Sequence, residues 1–210
     1  MSFAQIACEN ILGAVGNTPI VRLNRVVSSE KANFYVKCEF MNPGGSIKDR
    51  IGTFMIDAAE KSGRLKPGGT IIEATSGNTG LGLAMVASVR GYKCIFVMAD
   101  KQSEEKRNAL RATGAEVFVC PTDVDPEDPR SYYKVSAKLA AETPNSYFTN
   151  QYENAANPEA HYRTTGPEIW KQCGDELDYL VLSIGTGGTV TGISKYFREV
   201  GAKTKIIGVD

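Results

Sequence analysis

The sequence predicts an α/β fold on a largely parallel sheet, and three observations predict it. Apolar runs of strand length recur at residues 34–38, Thr70–Ala74, Lys93–Ala99, 115–120, 179–184 and Lys205–Val209. Helix-like stretches separate most of them, which supplies the crossovers that parallel pairing needs, and such crossovers are right-handed. Two turns of small residues, Ser76-Gly77-Asn78-Thr79-Gly80 and Gly185-Thr186-Gly187-Gly188-Thr189, each lie between a strand-like and a helix-like run. An open α/β sheet gathers its ligands there, at the carboxyl ends of its strands.

In chain order, Phe34-Tyr35-Val36-Lys37-Cys38 reads as the first strand, followed by a helix over 46–61 that Gly63 closes. The strand Thr70–Ala74 leads into a helix over 81–90, stopped by Gly91. After the strand Lys93–Ala99 comes a helix over 103–113, with Glu104 and Glu105 in its first turn and Gly114 behind it. The strand 115–120 ends at a surface loop, 123–130, with two prolines and four acids, and a helix follows over 131–142. Asn157-Pro158-Glu159 predicts a helix start with Pro in the first helical position. The strand 179–184, the helix 190–200 and the strand Lys205–Val209 complete the series, with no repeat and no low-complexity segment. The last residues, Ile206-Ile207-Gly208-Val209-Asp210, read as a strand running into a loop. Ligands collect at such strand ends, so the C-terminal part of the fold is expected to be missing from these residues.

At 210 residues the chain can bury one large core or two small ones. Lys plus Arg number 24 and Asp plus Glu 24, a net charge of 0 that gives no footprint for nucleic acid or an anionic membrane. Apolar runs such as Cys94-Ile95-Phe96-Val97-Met98-Ala99 are too short to span a bilayer. The first residues lack the basic-then-apolar pattern of a secretory leader, so a soluble cytoplasmic protein is the expectation. Five scattered cysteines without a C-x-x-C pair argue against a disulfide framework and a zinc site. Cys94 and Cys120 fall in strand-like runs, as small buried hydrophobes do. His161 is the only histidine, and no metal is expected.

In Gly44-Gly45-Ser46-Ile47-Lys48-Asp49-Arg50, a lysine stands at a helix start behind two glycines. Ser46 can cap that helix, with Asp49 three residues on as a partial capping box. The positive end of the helix dipole disfavours an ammonium there, and a lysine must be neutral to attack an aldehyde. An ordinary surface lysine fits the same pattern. In the second segment, backbone N–H groups with the hydroxyls of Thr75, Ser76 and Thr79 could hold a carboxylate, and Asn78 offers an amide to a ring oxygen. Taken alone, the segment reads better as a plain βα turn rich in capping residues. In the third, the N–H groups with Thr186 and Thr189 can enclose a phosphate. No Gly-Lys-Ser/Thr follows, so it is not a nucleotide-cleaving P-loop, and Val190 stands where a dinucleotide fingerprint needs its third glycine. A plain structural turn remains the alternative.

Together and in this order, the three segments resemble the β-family of pyridoxal-phosphate enzymes, fold type II, which contains cysteine synthases and cystathionine β-synthases. The resemblance runs from Asn17-Thr18-Pro19 to the end. It implies pyridoxal 5′-phosphate as cofactor, carried on Lys48, which later takes the substrate α-proton. It implies Asn78 at the cofactor's 3′-oxygen and Gly185, Thr186, Gly187, Gly188 and Thr189 as the phosphate cup. Thr75, Ser76, Thr79 and Gln151 would bind the substrate carboxylate. It further implies two open, largely parallel α/β domains with the cofactor between them, usually in a homodimer. The larger would comprise 1–40 and 147–210, and 41–146 would form a smaller mobile domain carrying Lys48 and the Asn78 loop.

Within the family, Lys37-Cys38-Glu39-Phe40-Met41-Asn42-Pro43-Gly44-Gly45-Ser46 and Arg90-Gly91-Tyr92-Lys93-Cys94 look more like the cystathionine β-synthase branch. So does Tyr152, where cysteine synthases usually carry Phe, and a phenol there could help serine lose water. The expected reaction condenses L-serine with L-homocysteine. The alternatives are a cysteine synthase using O-acetylserine and sulfide, or a catalytically silent relative acting as a binding partner. Cys8 is the only Cys ahead of the core and no His accompanies it, so no haem is expected. The residue that the family sets at the pyridine nitrogen would fall past Asp210.

Overall fold

The computed structural model describes residues 7–27 and 32–210; residues 1–6, where the search for a secretory leader begins, lie outside it. Among the described residues, eight strands form three sheets: β1 (Ile20–Arg22), β2 (Tyr35–Lys37), β3 (Thr70–Ala74), β4 (Lys93–Ala99), β5 (Glu116–Cys120), β6 (Ser146–Phe148), β7 (Tyr179–Ser183) and β8 (Lys205–Val209). The helices are α1 (Asp49–Lys61), α2 (Asn78–Arg90), α3 (Glu104–Ala112), α4 (Tyr132–Glu142), α5 (Ala156–Ala160), α6 (Gly166–Cys173) and α7 (Gly188–Glu199). Between α5 and α6 the backbone makes a π turn over His161–Thr165, so these three pieces form one continuous helical rod.

The largest sheet has the order β5-β4-β3-β6, parallel throughout. Its central strand β3 is buried along its whole length, as a strand covered on both faces must be. Ile51, Met55 and Ile56 of α1 and Leu83 and Val86 of α2 join Ile71, Phe96 and Met98 in the principal core. A second core gathers Ile169, Ile193 and Phe197 against Leu180, Leu182 and Ile206, and so seats α6 and α7 on the parallel pair β7-β8. Cys94 and Cys120 are buried within strands as expected, and burial pushes the Cys94 thiol up to about 12.

Several boundaries differ from the sequence reading. β1 pairs antiparallel with β2, and β1 and β6 are three-residue strands, too short for any period to register. The first helix begins at Asp49 rather than at residue 46. Ser46 Oγ accepts the Lys48 N–H at 3.2 Å, while the Asp49 carboxylate turns back to the Gly44 N–H at 2.6 Å. The proposed capping box is therefore replaced by a tight turn, and a Cβ on Gly44 would lie 2.5 Å from Asp49 Oδ1. Helices α2 and α7 start earlier than read, because Asn78, Thr79 and Gly80, and likewise Gly188 and Thr189, already form their first turns. Low helix propensity hid these turns. The helix from Ala156 is preceded by Ala155, and Asn154 Oδ1 accepts the Ala156 N–H at 3.1 Å; Asn157 instead turns inward, and Pro158 stands third in the helix.

Candidate active site

Lys48 occupies the position just before α1, half-buried. Its amine has no hydrogen-bond or ion-pair partner among the described residues, and burial lowers its pKa. A lysine without an acidic partner, in a site that resists charge, fits a nucleophilic amine better than a structural cation. Helix α2 crosses directly beneath it: a Cβ on Gly82 would come within 2.8 Å of the Lys48 carbonyl oxygen.

The turn after β3 is fixed by its own side chains. Thr75 Oγ1, buried, accepts the N–H groups of Gly77 at 3.0 Å and Gly80 at 3.3 Å, holding the turn in shape. Gly77 has a φ of 127°, which a side chain would resist. Ser76 and Asn78 point outward and are exposed, whereas Thr79 is buried and donates to Gln151 Oε1 at 2.7 Å. Gln151 in turn offers its carbonyl to Asn157 Nδ2 at 2.8 Å, and the same Nδ2 reaches Thr186 Oγ1 at 2.9 Å. A continuous polar chain thus joins Thr79, Gln151, Asn157 and Thr186, the 75–80 turn to the 185–189 turn.

The second turn opens α7 with its donors unspent. Among the described residues the N–H groups of Gly185, Thr186, Gly187, Thr189 and Val190 make no hydrogen bond. A Cβ built on Gly185 or Gly187 would meet nothing within 4 Å, so the inner face of the turn is open, and Gly187 takes a φ of 80°. Thr189 Oγ1 lies 3.2 Å from His161 Nε2. Burial, with the nearby charges of Lys48 and Arg50, drives His161 down to about 3, so the imidazole is neutral. Free N–H donors, hydroxyls and an amine whose charged form burial disfavours fit a phosphate-bearing aldehyde.

Tyr152 stands apart. It is 47% exposed, its ring meets Tyr133 edge-on at 5.8 Å, and burial with its tyrosine neighbours raises its pKa, keeping the phenol protonated. The sequence reading missed Glu73, Asn157, His161 as an organiser, and Thr165. Asn157, His161 and Thr165 are spaced by four along one helical rod, a polar periodicity that could have been found. Among the described residues no group of His, Cys, Asp and Glu could hold a metal ion, and no helix is long and apolar enough to cross a membrane.

A family model described as pyridoxal-phosphate dependent enzyme matches residues 11–210. The chain belongs to that family. Its cofactor is pyridoxal phosphate, and its α/β architecture is that of the fold type II members. The chain is 53% identical over 203 residues to the cystathionine beta-synthase of Apis mellifera, covering 96% of this chain and 40% of the relative. Cysteine synthase 1 of Neurospora crassa is 44% identical over 211 residues, covering 100% of this chain and 56% of that protein. Among solved structures, O-ureido-L-serine synthase superposes with a TM-score of 0.88 at 38% identity, over 96% of this chain and 63% of that one. The chain thus spans less than two thirds of each of these relatives.

Proposed function

We propose that this pyridoxal-phosphate dependent enzyme is a cystathionine β-synthase, condensing L-serine with L-homocysteine to give L-cystathionine and water. The observation that carries the reading is Lys48, a half-buried amine with a lowered pKa and no acidic partner among the described residues, in a chain that also carries a turn of unpaired N–H donors.

The 185–189 turn would hold the cofactor phosphate with backbone N–H groups and the Thr186 and Thr189 hydroxyls, and Asn78 would bond the ring oxygen. When bound, pyridoxal phosphate supplies an aldehyde for the amino group and a ring that takes up the charge left at the α-carbon. Thr75, Ser76, Thr79 and Gln151 would grip the substrate carboxylate, the Thr79–Gln151 bond setting Gln151 beforehand. Lys48 would take the α-proton and, after the new bond has formed, return it to the α-carbon. Tyr152, with its raised pKa, would give a proton to the departing hydroxyl of serine and regain one from the homocysteine thiol, whose sulfur would then bond the β-carbon.

The presence of two cores supports a division into a larger unit, 1–40 with 147–210, and a smaller mobile unit, 41–146. Pairing of β6 with β3 extends the smaller unit to Phe148. Closure of the smaller unit over the carboxylate would exclude water. The homodimer and the cytoplasm are the proposed assembly and location.

The test is to incubate the full chain, loaded with cofactor, with serine and homocysteine, and in parallel with O-acetylserine and sulfide, and to follow products by mass spectrometry. Rapid cystathionine formation is expected, and Lys48→Ala should abolish it. Cysteine formed only in the second mixture would favour the cysteine synthase reading, for which the 44% identity to the Neurospora protein is the supporting observation.

A further inference from the structure

The helical rod through the π turn carries three polar side chains that packing alone does not require. Asn157, His161 and Thr165 are 1%, 0% and 1% exposed, and they follow one another at intervals of four along the face turned to α7. The two helices approach through glycines. A Cβ on Gly192 would stand 2.2 Å from the Pro158 carbonyl oxygen, and one on Gly188 would stand 2.0 Å from Asn157 Oδ1. Apolar side chains would serve such packing without the cost of burying polar groups. Asn157 Oδ1 indeed stays buried without a partner.

We propose that Asn157, His161 and Thr165 are positioning residues, a buried ladder that aims the hydroxyl protons of Thr186 and Thr189 at the cofactor phosphate. The inference rests on the reading of 185–189 as the phosphate site. A phosphate needs donors, and a threonine hydroxyl has one proton and two lone pairs. Thr186 Oγ1 accepts from Asn157 Nδ2 at 2.9 Å and from the Gly188 N–H at 3.4 Å. Both lone pairs are engaged, and the proton is left to point into the open turn.

Thr189 follows the same logic one rung on. His161 Nε2 lies 3.2 Å from Thr189 Oγ1, and His161 Nδ1 lies 2.9 Å from Thr165 Oγ1. With the proton on Nε2 the ring donates to Thr189 and accepts at Nδ1 from Thr165. Every proton then runs toward the turn, from Thr165 to His161 to Thr189. The opposite tautomer would take the Thr189 proton and present a lone pair to an anion. Burial keeps the ring neutral, so it holds a single proton to place.

The test compares binding of pyridoxal phosphate and of unphosphorylated pyridoxal to the cofactor-free full chain. In His161→Phe the affinity for pyridoxal phosphate should fall about tenfold or more, while that for pyridoxal stays within about twofold. His161→Gln, which keeps an amide donor near the Nε2 position, should recover most of the loss. Thr165→Val, which does not touch the turn, should weaken pyridoxal phosphate several-fold and shift the phosphorus resonance of the bound cofactor. If His161→Phe does not fold, Thr165→Val with His161→Gln decides. Wild-type affinity for pyridoxal phosphate in the variants, or equal losses for both ligands, would overturn the ladder. A wild type that binds pyridoxal as tightly as its phosphate would overturn the phosphate-site reading and the ladder with it.

Discussion

Glu73 is fully buried inside β3, yet its surroundings suit one protonation state. Its Oε1 faces the Gln151 N–H at 3.4 Å, and its other oxygen meets Thr149 Oγ1, itself 3.1 Å from the Ile72 carbonyl oxygen. A protonated Glu73 satisfies all of these, giving its proton to Thr149, which gives its own to Ile72. Burial accordingly raises Glu73 from 4.5 to about 7. A carboxyl raised on folding contributes stability that is full below about 4.5 and is lost as pH climbs through about 7, a change of about 3 kcal/mol. Glu73→Gln reproduces the protonated pattern, so it should be close to neutral at pH 5 and stabilising at pH 8. Urea melts of both proteins across that range check this; a wild type whose stability is flat in pH would refute it. Nothing in the sequence marks this residue, because one acid in an apolar run looks the same whether it is charged or protonated.

At the scale of elements, α1 and α2 meet through glycines. A Cβ on Gly52 would lie 2.7 Å from the Gly82 carbonyl oxygen, and one on Gly82 would lie 2.8 Å from that of Lys48. Backbone cannot yield as a flexible side chain does. Gly82→Ala should therefore destabilise the fold by about 1–3 kcal/mol and displace Lys48, lowering cofactor occupancy beyond what the stability loss explains. Cofactor absorbance measured against a denaturant titration separates the two effects. The strands β3, β4 and β8 were legible residue for residue, because β-branched and aromatic runs bounded by breakers leave little choice. Helix starts were not. At residues 78–80 and 188–189 the candidate binding turn and the first helical turn share the same Asn, Thr and Gly residues, so local propensity points away from helix there, whereas at 46–48 a Ser-led turn that looks like a helix start stays outside the helix. The candidate site was legible for a related reason: small residues tolerated at such turns are conspicuous. What supports them from behind, Asn157 and His161, lies far along the chain, and its one signature, a polar spacing of four shared with Thr165, does not say what it supports.

Across the whole molecule, one ionic cluster ties distant segments together. Arg50, 1% exposed, reaches Glu39 at 2.7 Å and Glu168 at 2.9 Å, and Lys37 meets Glu168 at 2.6 Å. These residues come from β2, the turn after it, α1 and α6, so the cluster couples the Lys48 helix to both cores. Burial opposes ionisation of Glu168, but the hydrogen bonds from Arg50 and Lys37 outweigh it and hold the carboxyl down to about 2. A carboxyl depressed on folding gives stability that is present above about 4.5 and is lost as pH falls toward about 2. Arg50→Met should cost about 3 kcal/mol at neutral pH by stranding Glu39 and leaving Glu168 with Lys37 alone, and should flatten the acid limb. Acid titrations followed by circular dichroism test both parts, and an unchanged acid midpoint would count against the cluster.

The π turn at His161–Thr165 lets one rod serve two clients. Upstream, Asn157 and His161 attend to the 185–189 turn; downstream, Ile169 and Trp170 attend to the second core. In an uninterrupted α-helix each residue advances by about 100°, so losing one residue from this stretch would swing one client out of alignment by that angle. The extra residue is thus a phase correction written into chain length, and the spacing between Asn157 and Ile169 is as much a part of the site as the side chains themselves.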